Sequence, residues 1–201
     1  MQDNINPFST RFIKPGQIPF QSSDESTALD ELVSRLENQN WTGEIVGPHG
    51  SGKSTLVESL KGLISQDLHH VTIRTEDDHT SIYRNLLDWL ATEKSGSLLI
   101  VDGIEQIERH RIEDIISRCQ SHQIGLLVTS HESVGLPLLH RCQSGLEPFR
   151  AVVRELLQGR TIPITNEEID YAYNKYSPNL REALFSLYDV YELKRRHRES
   201  K

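Results

Sequence analysis

An α/β fold, with a parallel sheet sandwiched by helices and a small helical subdomain at its C-terminal end, is predicted by three features of this chain. Short, nearly continuous apolar runs recur with amphipathic helical segments between them, the alternation that builds a parallel sheet covered on both faces. A glycine-rich turn, "GPHGSGKST", stands between one such run and the helical segment after it. The last quarter of the chain carries only helical periodicity. At 201 residues and 36% hydrophobic, the chain can bury one sizeable core with a small appendage. Its 22 Lys and Arg against 29 Asp and Glu give a net charge of −7. That balance weighs against a dedicated nucleic-acid or anionic-membrane binder, although a local basic patch is compatible with it. Cys119 and Cys142 lack any C-x-x-C or metal-type spacing, so they are expected to be two buried thiols. No basic segment leads into an apolar stretch at the N-terminus, and no apolar run approaches the length of a membrane span, so a cytoplasmic protein is expected.

Residues 1–24 carry Pro7, Pro15, Gly16 and Pro19 and predict an irregular arm, whose Phe8, Phe12, Ile13 and Phe20 should pack on the body. From Glu25 to Asn38, Ala28, Leu29, Leu32, Val33 and Leu36 follow helical spacing. "TGEIVG" then reads as a strand, "KSTLVESLKGLI" as a helix and "HHVTIRT" as a second strand, a β-α-β unit. "SIYRNLLDWLAT" predicts a helix, "SLLIVDG" a strand, "IEQIERHRIEDIISRCQSH" a helix and "IGLLVTS" a fourth strand. After His131 the pattern changes. "SGLE" at 144–147 and "TNEE" at 165–168 both have the S/T-x-x-E form of a capping box and precede helical stripes. A third helix is expected from "SPNLRE", with Ser177 as cap and Pro178 in its first turn, and "TIPI" is open to a short edge strand. Three regions follow: an N-terminal arm and helix over 1–41, a core over 42–143 and a lid-like helical subdomain over 144–201. The basic end "KRRHRESK" is expected to be a solvated helix terminus.

The chemistry concentrates in Gly47-Pro48-His49-Gly50-Ser51-Gly52-Lys53-Ser54, which satisfies G-x-x-x-x-G-K-[ST] between a strand and a helix, the context the Walker A mechanism requires. Glycines there let successive backbone N–H groups converge on one centre, at which the positive end of the next helix also points. A polyphosphate suits that environment. Lys53 is expected to bridge the β- and γ-phosphates, Ser54 to place its hydroxyl on Mg2+, and Thr55 to meet the α-phosphate. "LLIVD" supplies the partner, with Asp102 at a strand end positioned to hold the magnesium through water. Hydrolysis also needs a group that orients water, for which Glu105 is the candidate, equally readable as a first-turn glutamate favoured by the helix dipole. Thr129 or Ser130 ends the fourth strand, with a hydroxyl for γ-phosphate or water, or merely for capping the next turn. No N/T-K-x-D segment that reads guanine is present, so ATP is the expected nucleotide.

The series "GPHGSGKST", "LLIVDG", "LLVTSH" and "SPNLREALFSLYD" resembles compact ATPases of the AAA+/STAND division of P-loop NTPases, and within it short bacterial ATP-binding proteins. The resemblance covers roughly residues 5–195. It implies that Thr129 or Ser130 is the sensor 1 residue, that Arg181 is the sensor 2 arginine of a lid helix, and that the "NPF" of the arm lies near adenine. Two departures stand out. Position 103 is glycine where such ATPases place a glutamate after the strand aspartate, which leaves Glu105 as substitute, and neither Arg141 nor Arg160 is marked as an arginine finger. The loop is also similar to that of ABC ATPases, but no LSGGQ-like segment exists.

Three functions fit these residues. One is Mg-ATP binding with hydrolysis that drives or switches a conformational change at a protein partner or a second copy of the chain. Another is a nucleotide-binding adaptor with little turnover, consistent with Gly103. The third is a small-molecule kinase, for which "TEDDHT" and "ERHR" offer acids and arginines without a convincing lid insertion.

Overall fold

A computed structural model describes residues 5–14 and 29–199. Pro15, Gly16, Pro19 and Phe20 of the arm, and the start of the first helix from Glu25 through Ala28, lie outside the described residues. The chain forms two compact units.

The first unit, over 29–47 and 59–141, holds the sheet. The helix α1 (Leu29–Asn38) leads into β1 (Thr42–Val46); β2 (Leu68–Thr72), α3 (His79–Thr92), β3 (Leu98–Asp102), α4 (Arg109–Ser121), β4 (Gly125–Ser130) and β5 (Leu138–Arg141) follow. The strand order is β2-β3-β4-β1-β5, with every pairing parallel. β3 and β4 are buried along their whole length, which explains their unbroken apolar runs. Leu99 and Val101 of β3 and Leu126 and Val128 of β4 share one face and pack with Leu86 and Leu90 of α3 and with Ile112 and Ile115 of α4. Alternation therefore puts Leu98, Ile100 and Asp102, with Leu127 and Thr129, on the opposite face. On the β1–β5 edge, α1 lies against both strands, and Arg35 donates to the carbonyl of Leu139 at 3.1 Å. Asp78 caps α3 by accepting from the N–H groups of Thr80 and Ser81.

Two expectations change here. The helix expected after Asp102 starts later, at Arg109; Ile104–Gln106 form a 3-10 turn instead, because the extended backbone of Ile107 and Glu108 separates it from α4. The strand β5 falls where the apolar pattern stops. With four residues at the sheet edge and only Leu139 buried, it has too little periodicity to be read.

The second unit, over 5–14, 48–58 and 142–199, packs the arm and three helices: α5 (Leu146–Leu156), α6 (Asn166–Tyr176) and α7 (Leu180–Glu199). Phe8 and Ile13 of the arm enter one core with Phe149, Val153, Ile169, Ala172, Leu184, Leu187 and Tyr191. Asn6 secures the arm: its Nδ2 donates to the Tyr188 carbonyl and to Glu192 Oε1, both at 2.9 Å, and its Oδ1 accepts from the Phe8 N–H. The capping box expected at 165–168 forms, Thr165 and Glu168 exchanging bonds at the start of α6. The one expected at 144–147 does not; Gly145 occupies the cap position of α5 without a side-chain bond. Ser177 ends α6 rather than starting α7, and Asn179 caps α7 by accepting from the Glu182 N–H at 3.3 Å. "TIPI" is a loop, not a strand. It buries Ile162 in this core, and Arg198 donates to the Thr161 carbonyl and hydroxyl. α2 (Lys53–Lys61) runs from this unit into the sheet unit. Among the described residues no helix is long and apolar enough to cross a membrane.

Candidate functional site

The glycine-rich loop leaves the C-terminal end of β1, a central strand flanked by β4 and β5. Its first residue is fixed: the Gly47 N–H donates to the Ser130 carbonyl at 3.1 Å. Gly50 and Gly52 take φ 73 and 95, the left-handed region that glycine enters without steric cost. At Gly50 the requirement is also spatial, since a Cβ would lie 2.2 Å from Asn179 Oδ1. The cap of α7 therefore rests on the loop. Pro48 and His49 are exposed, Ser51 and Lys53 buried, and Ser54 and Thr55 half-buried. Lys53 opens α2, is 8% exposed, and donates from Nζ to the Pro48 carbonyl at 3.0 Å, bridging the loop from within. Ser51 Oγ is buried without a hydrogen-bond partner, a polar atom whose environment suits an additional donor or acceptor. Cys142 is near enough to feel the Lys53 charge, but burial pushes its thiol up to about 12. Burial does the same to Cys119, and both thiols are free, so neither is poised as a nucleophile.

In the sheet unit, Asp102 and Thr129 are register partners at the ends of β3 and β4. Thr129 is fully buried; its hydroxyl donates to Asp102 Oδ1 at 2.5 Å and accepts from the Gly103 N–H at 2.9 Å. That clamp sets the direction of the carboxylate and of the chain leaving β3. Ser130 is also buried, its Oγ donating to the Glu132 carbonyl at 2.6 Å, so it braces the loop after β4. Both hydroxyls offered for γ-phosphate sensing thus have partners within the unit.

Gly103 has a steric origin. A Cβ there would sit 2.5 Å from the Ile73 carbonyl oxygen, on a backbone at φ 91. No glutamate fits beside Asp102, and the next acid is Glu105 on the 3-10 turn. Its Oε1 lies 3.3 Å from His131 Nε2, and its Oε2 is buried without a partner.

Arg181 stands in the first turn of α7, two positions after Asn179, exposed and over the Phe185 ring at 5.7 Å. Arg160 donates to the Ile5 carbonyl and lies over the Phe12 ring, which gives it a role in holding the arm; Arg141 ends β5 with its side chain exposed. Among the described residues no group of three or more His, Cys, Asp and Glu could hold a metal ion. Two residues lay beyond the sequence reading. Asn179 carried a usable signal, because N-x-x-E is a capping pattern like the two recognised elsewhere. The pairing of His131 with Glu105 carried none, since it joins residues 26 positions apart through the neighbouring ends of β3 and β4.

No protein-family model matches the chain. A 46-residue stretch, 23% of the chain, is 46% identical to the energy-coupling factor transporter ATP-binding protein EcfA of Pediococcus pentosaceus, and covers 16% of that protein. Among solved structures, a variant of Thermotoga maritima RuvB superposes over 88% of this chain with TM-score 0.57 and 15% identity, over 62% of its own length. The T. maritima RuvB Holliday junction branch migration motor matches over 90% of this chain with TM-score 0.55 and the same identity, over 65% of its own length. The chain thus spans less than two thirds of the RuvB chains and a small part of EcfA. At these identities the shared property is the architecture, and the five-stranded parallel sheet with flanking helices is the α/β fold of a P-loop NTPase.

Proposed function

We propose that this chain binds Mg-ATP on the Gly47–Thr55 loop and hydrolyses it, using the cycle to switch the conformation of its helical unit. The observation that carries the reading is the complete G-x-x-x-x-G-K-[ST] match, set directly after a buried parallel strand with a buried lysine opening the next helix. The local likeness to an ATP-binding protein and the RuvB-like fold support it. In this reading the loop N–H groups receive the phosphates, with Pro48, His49, Gly50 and Ser51 at the four variable positions of the cradle. Lys53 exchanges the Pro48 carbonyl for phosphate oxygens, and Thr55 meets the α-phosphate. In the same reading Ser54 and Asp102 would supply oxygen ligands to magnesium, which takes oxygen donors and keeps several waters, and Thr129 holds the Asp102 carboxylate. When bound, magnesium neutralises charge on the phosphates. Glu105 orients the attacking water, and Arg181 reaches the nucleotide from the start of α7. The loop–α7 contact at Gly50 and Asn179 is the element by which phosphate occupancy alters the helical unit and, through it, a protein partner or a second copy of the chain.

A second reading, an ATP-binding adaptor with little turnover, is favoured by Gly103, which removes the acid from its usual place beside the strand aspartate. Glu105→Gln separates the two. We expect that substitution to leave ATP affinity within about twofold and to lower single-turnover phosphate release at least about a hundredfold, the scale of a lost general base. Wild-type protein that binds ATP yet releases no phosphate would establish the adaptor reading instead.

A further inference from the structure

We infer that His131 is the positioning residue for Glu105, holding one carboxylate oxygen so that the other faces the attacking water; the inference rests on the hydrolysis proposed above. Four observations lead to it. First, the Ile73 carbonyl excludes a side chain at 103, so the acid must come from the 3-10 turn. Second, that turn is rigid: the Gln106 N–H bonds the Gly103 carbonyl at 3.1 Å, the Ile107 N–H bonds the Ile104 carbonyl at 3.0 Å, and Ile104 and Ile107 are buried in the sheet core. Only the side-chain torsions of Glu105 remain to be set.

Third, the two carboxylate oxygens have different environments. Oε1 meets His131 Nε2 at 3.3 Å, while Oε2 is buried with no hydrogen-bond partner, although the side chain as a whole is 23% exposed. A buried carboxylate oxygen without a donor is costly, and a water that donates to it removes the cost. Fourth, His131 sits on a braced segment. Ser130 Oγ holds the Glu132 carbonyl, and the buried Glu44 of β1 accepts from the N–H groups of Val134 at 2.9 Å and Leu136 at 3.4 Å. The backbone after His131 is therefore held, and the imidazole is the group against which the carboxylate is set.

In the reaction the water oxygen bonds the γ-phosphorus while the bond to the β–γ bridging oxygen breaks, its electron pair leaving on ADP. The water's proton passes to Glu105 Oε2 and then to solvent. His131 touches neither substrate nor water, and its contribution is orientation.

The test is single-turnover phosphate release and ATP affinity in His131→Ala, His131→Gln and the double variant His131→Ala/Glu105→Gln, beside wild type and Glu105→Gln. Glutamine places an amide donor near the position of Nε2. His131 is 43% exposed, so these variants should fold, and thermal melting checks that they do. We expect His131→Ala to slow release about tenfold or more with KM and ATP affinity unchanged. His131→Gln should recover most of the rate, and His131→Ala should cost nothing further once Glu105 is glutamine. Glu105-dependent release that is indifferent to His131, or equal losses from His131→Ala in both backgrounds, overturns the inference alone. Wild-type protein that releases no phosphate overturns the hydrolysis reading and the inference with it, whereas release that Glu105→Gln leaves unchanged overturns the role of Glu105 and the inference but not hydrolysis.

Discussion

At Gly103 a single missing side chain redirects the site. The residue turns the chain away from β3 at φ 91, beneath the Ile73 carbonyl, and the Gly103 N–H is held by the same Thr129 hydroxyl that fixes Asp102. Restoring an acid by Gly103→Glu forces a non-glycine residue into the left-handed region and a Cβ into a carbonyl. The expected result is a loss of about 1–3 kcal/mol or more in urea-denaturation stability with no gain in phosphate release. Wild-type stability together with faster release would show that the turn yields and that 103 is a usable position for the base. The glycine and the candidate acid were both visible in "LLIVDGIEQIE"; the reason for the glycine was not, because Ile73 approaches from the end of another strand. The hydroxyls of Thr129 and Ser130 make the same point. Their place at the end of β4 is legible from the apolar run before them, but their partners, Asp102 Oδ1 and the Glu132 carbonyl, are decided by sheet register and local turn geometry.

For elements, segments with an apolar run, a helical stripe or a capping box declare themselves, and a four-residue edge strand or a three-residue turn does not. β1, β3, β4, α3 and α6 fall where apolar pattern and caps place them, because burial on both faces or a capping box leaves a direct trace in the residues. β5 and the 3-10 turn leave none: one is four residues at an edge, the other is three residues cut off from α4 by the extended Ile107 and Glu108. The arm is intermediate. Its Phe8 and Ile13 announced burial, whereas Asn6, the residue that fastens it to α7, read as an ordinary polar residue. Removing that side chain leaves the buried Phe8 N–H without its acceptor, so Asn6→Ala should lower the stability of the helical unit by about 1–3 kcal/mol in urea denaturation. A change below about 0.5 kcal/mol would mean that the arm is held by its apolar residues alone.

Across the whole molecule, the chain distributes its candidate chemistry between two units. The sheet unit carries Asp102, Glu105, Thr129 and His131 on the loops and strand ends of β3 and β4, while the helical unit carries residues 48–58 of the phosphate loop and α2 together with the cap of α7. The loop motif and the alternation of strands and helices made the fold readable without a structure; the contact of Asn179 with Gly50 joins residues far apart in the chain and was not readable. The central claim is that the Gly47–Thr55 loop is a nucleotide site, and the most direct test is thermal melting with and without Mg-ATP for wild type and Lys53→Ala. A bound ligand at about a hundredfold over its dissociation constant stabilises the folded state by about 2.7 kcal/mol. The account predicts a saturable rise in Tm for wild type and none for Lys53→Ala. Equal shifts for both proteins, or no shift for wild type at millimolar Mg-ATP, would contradict it.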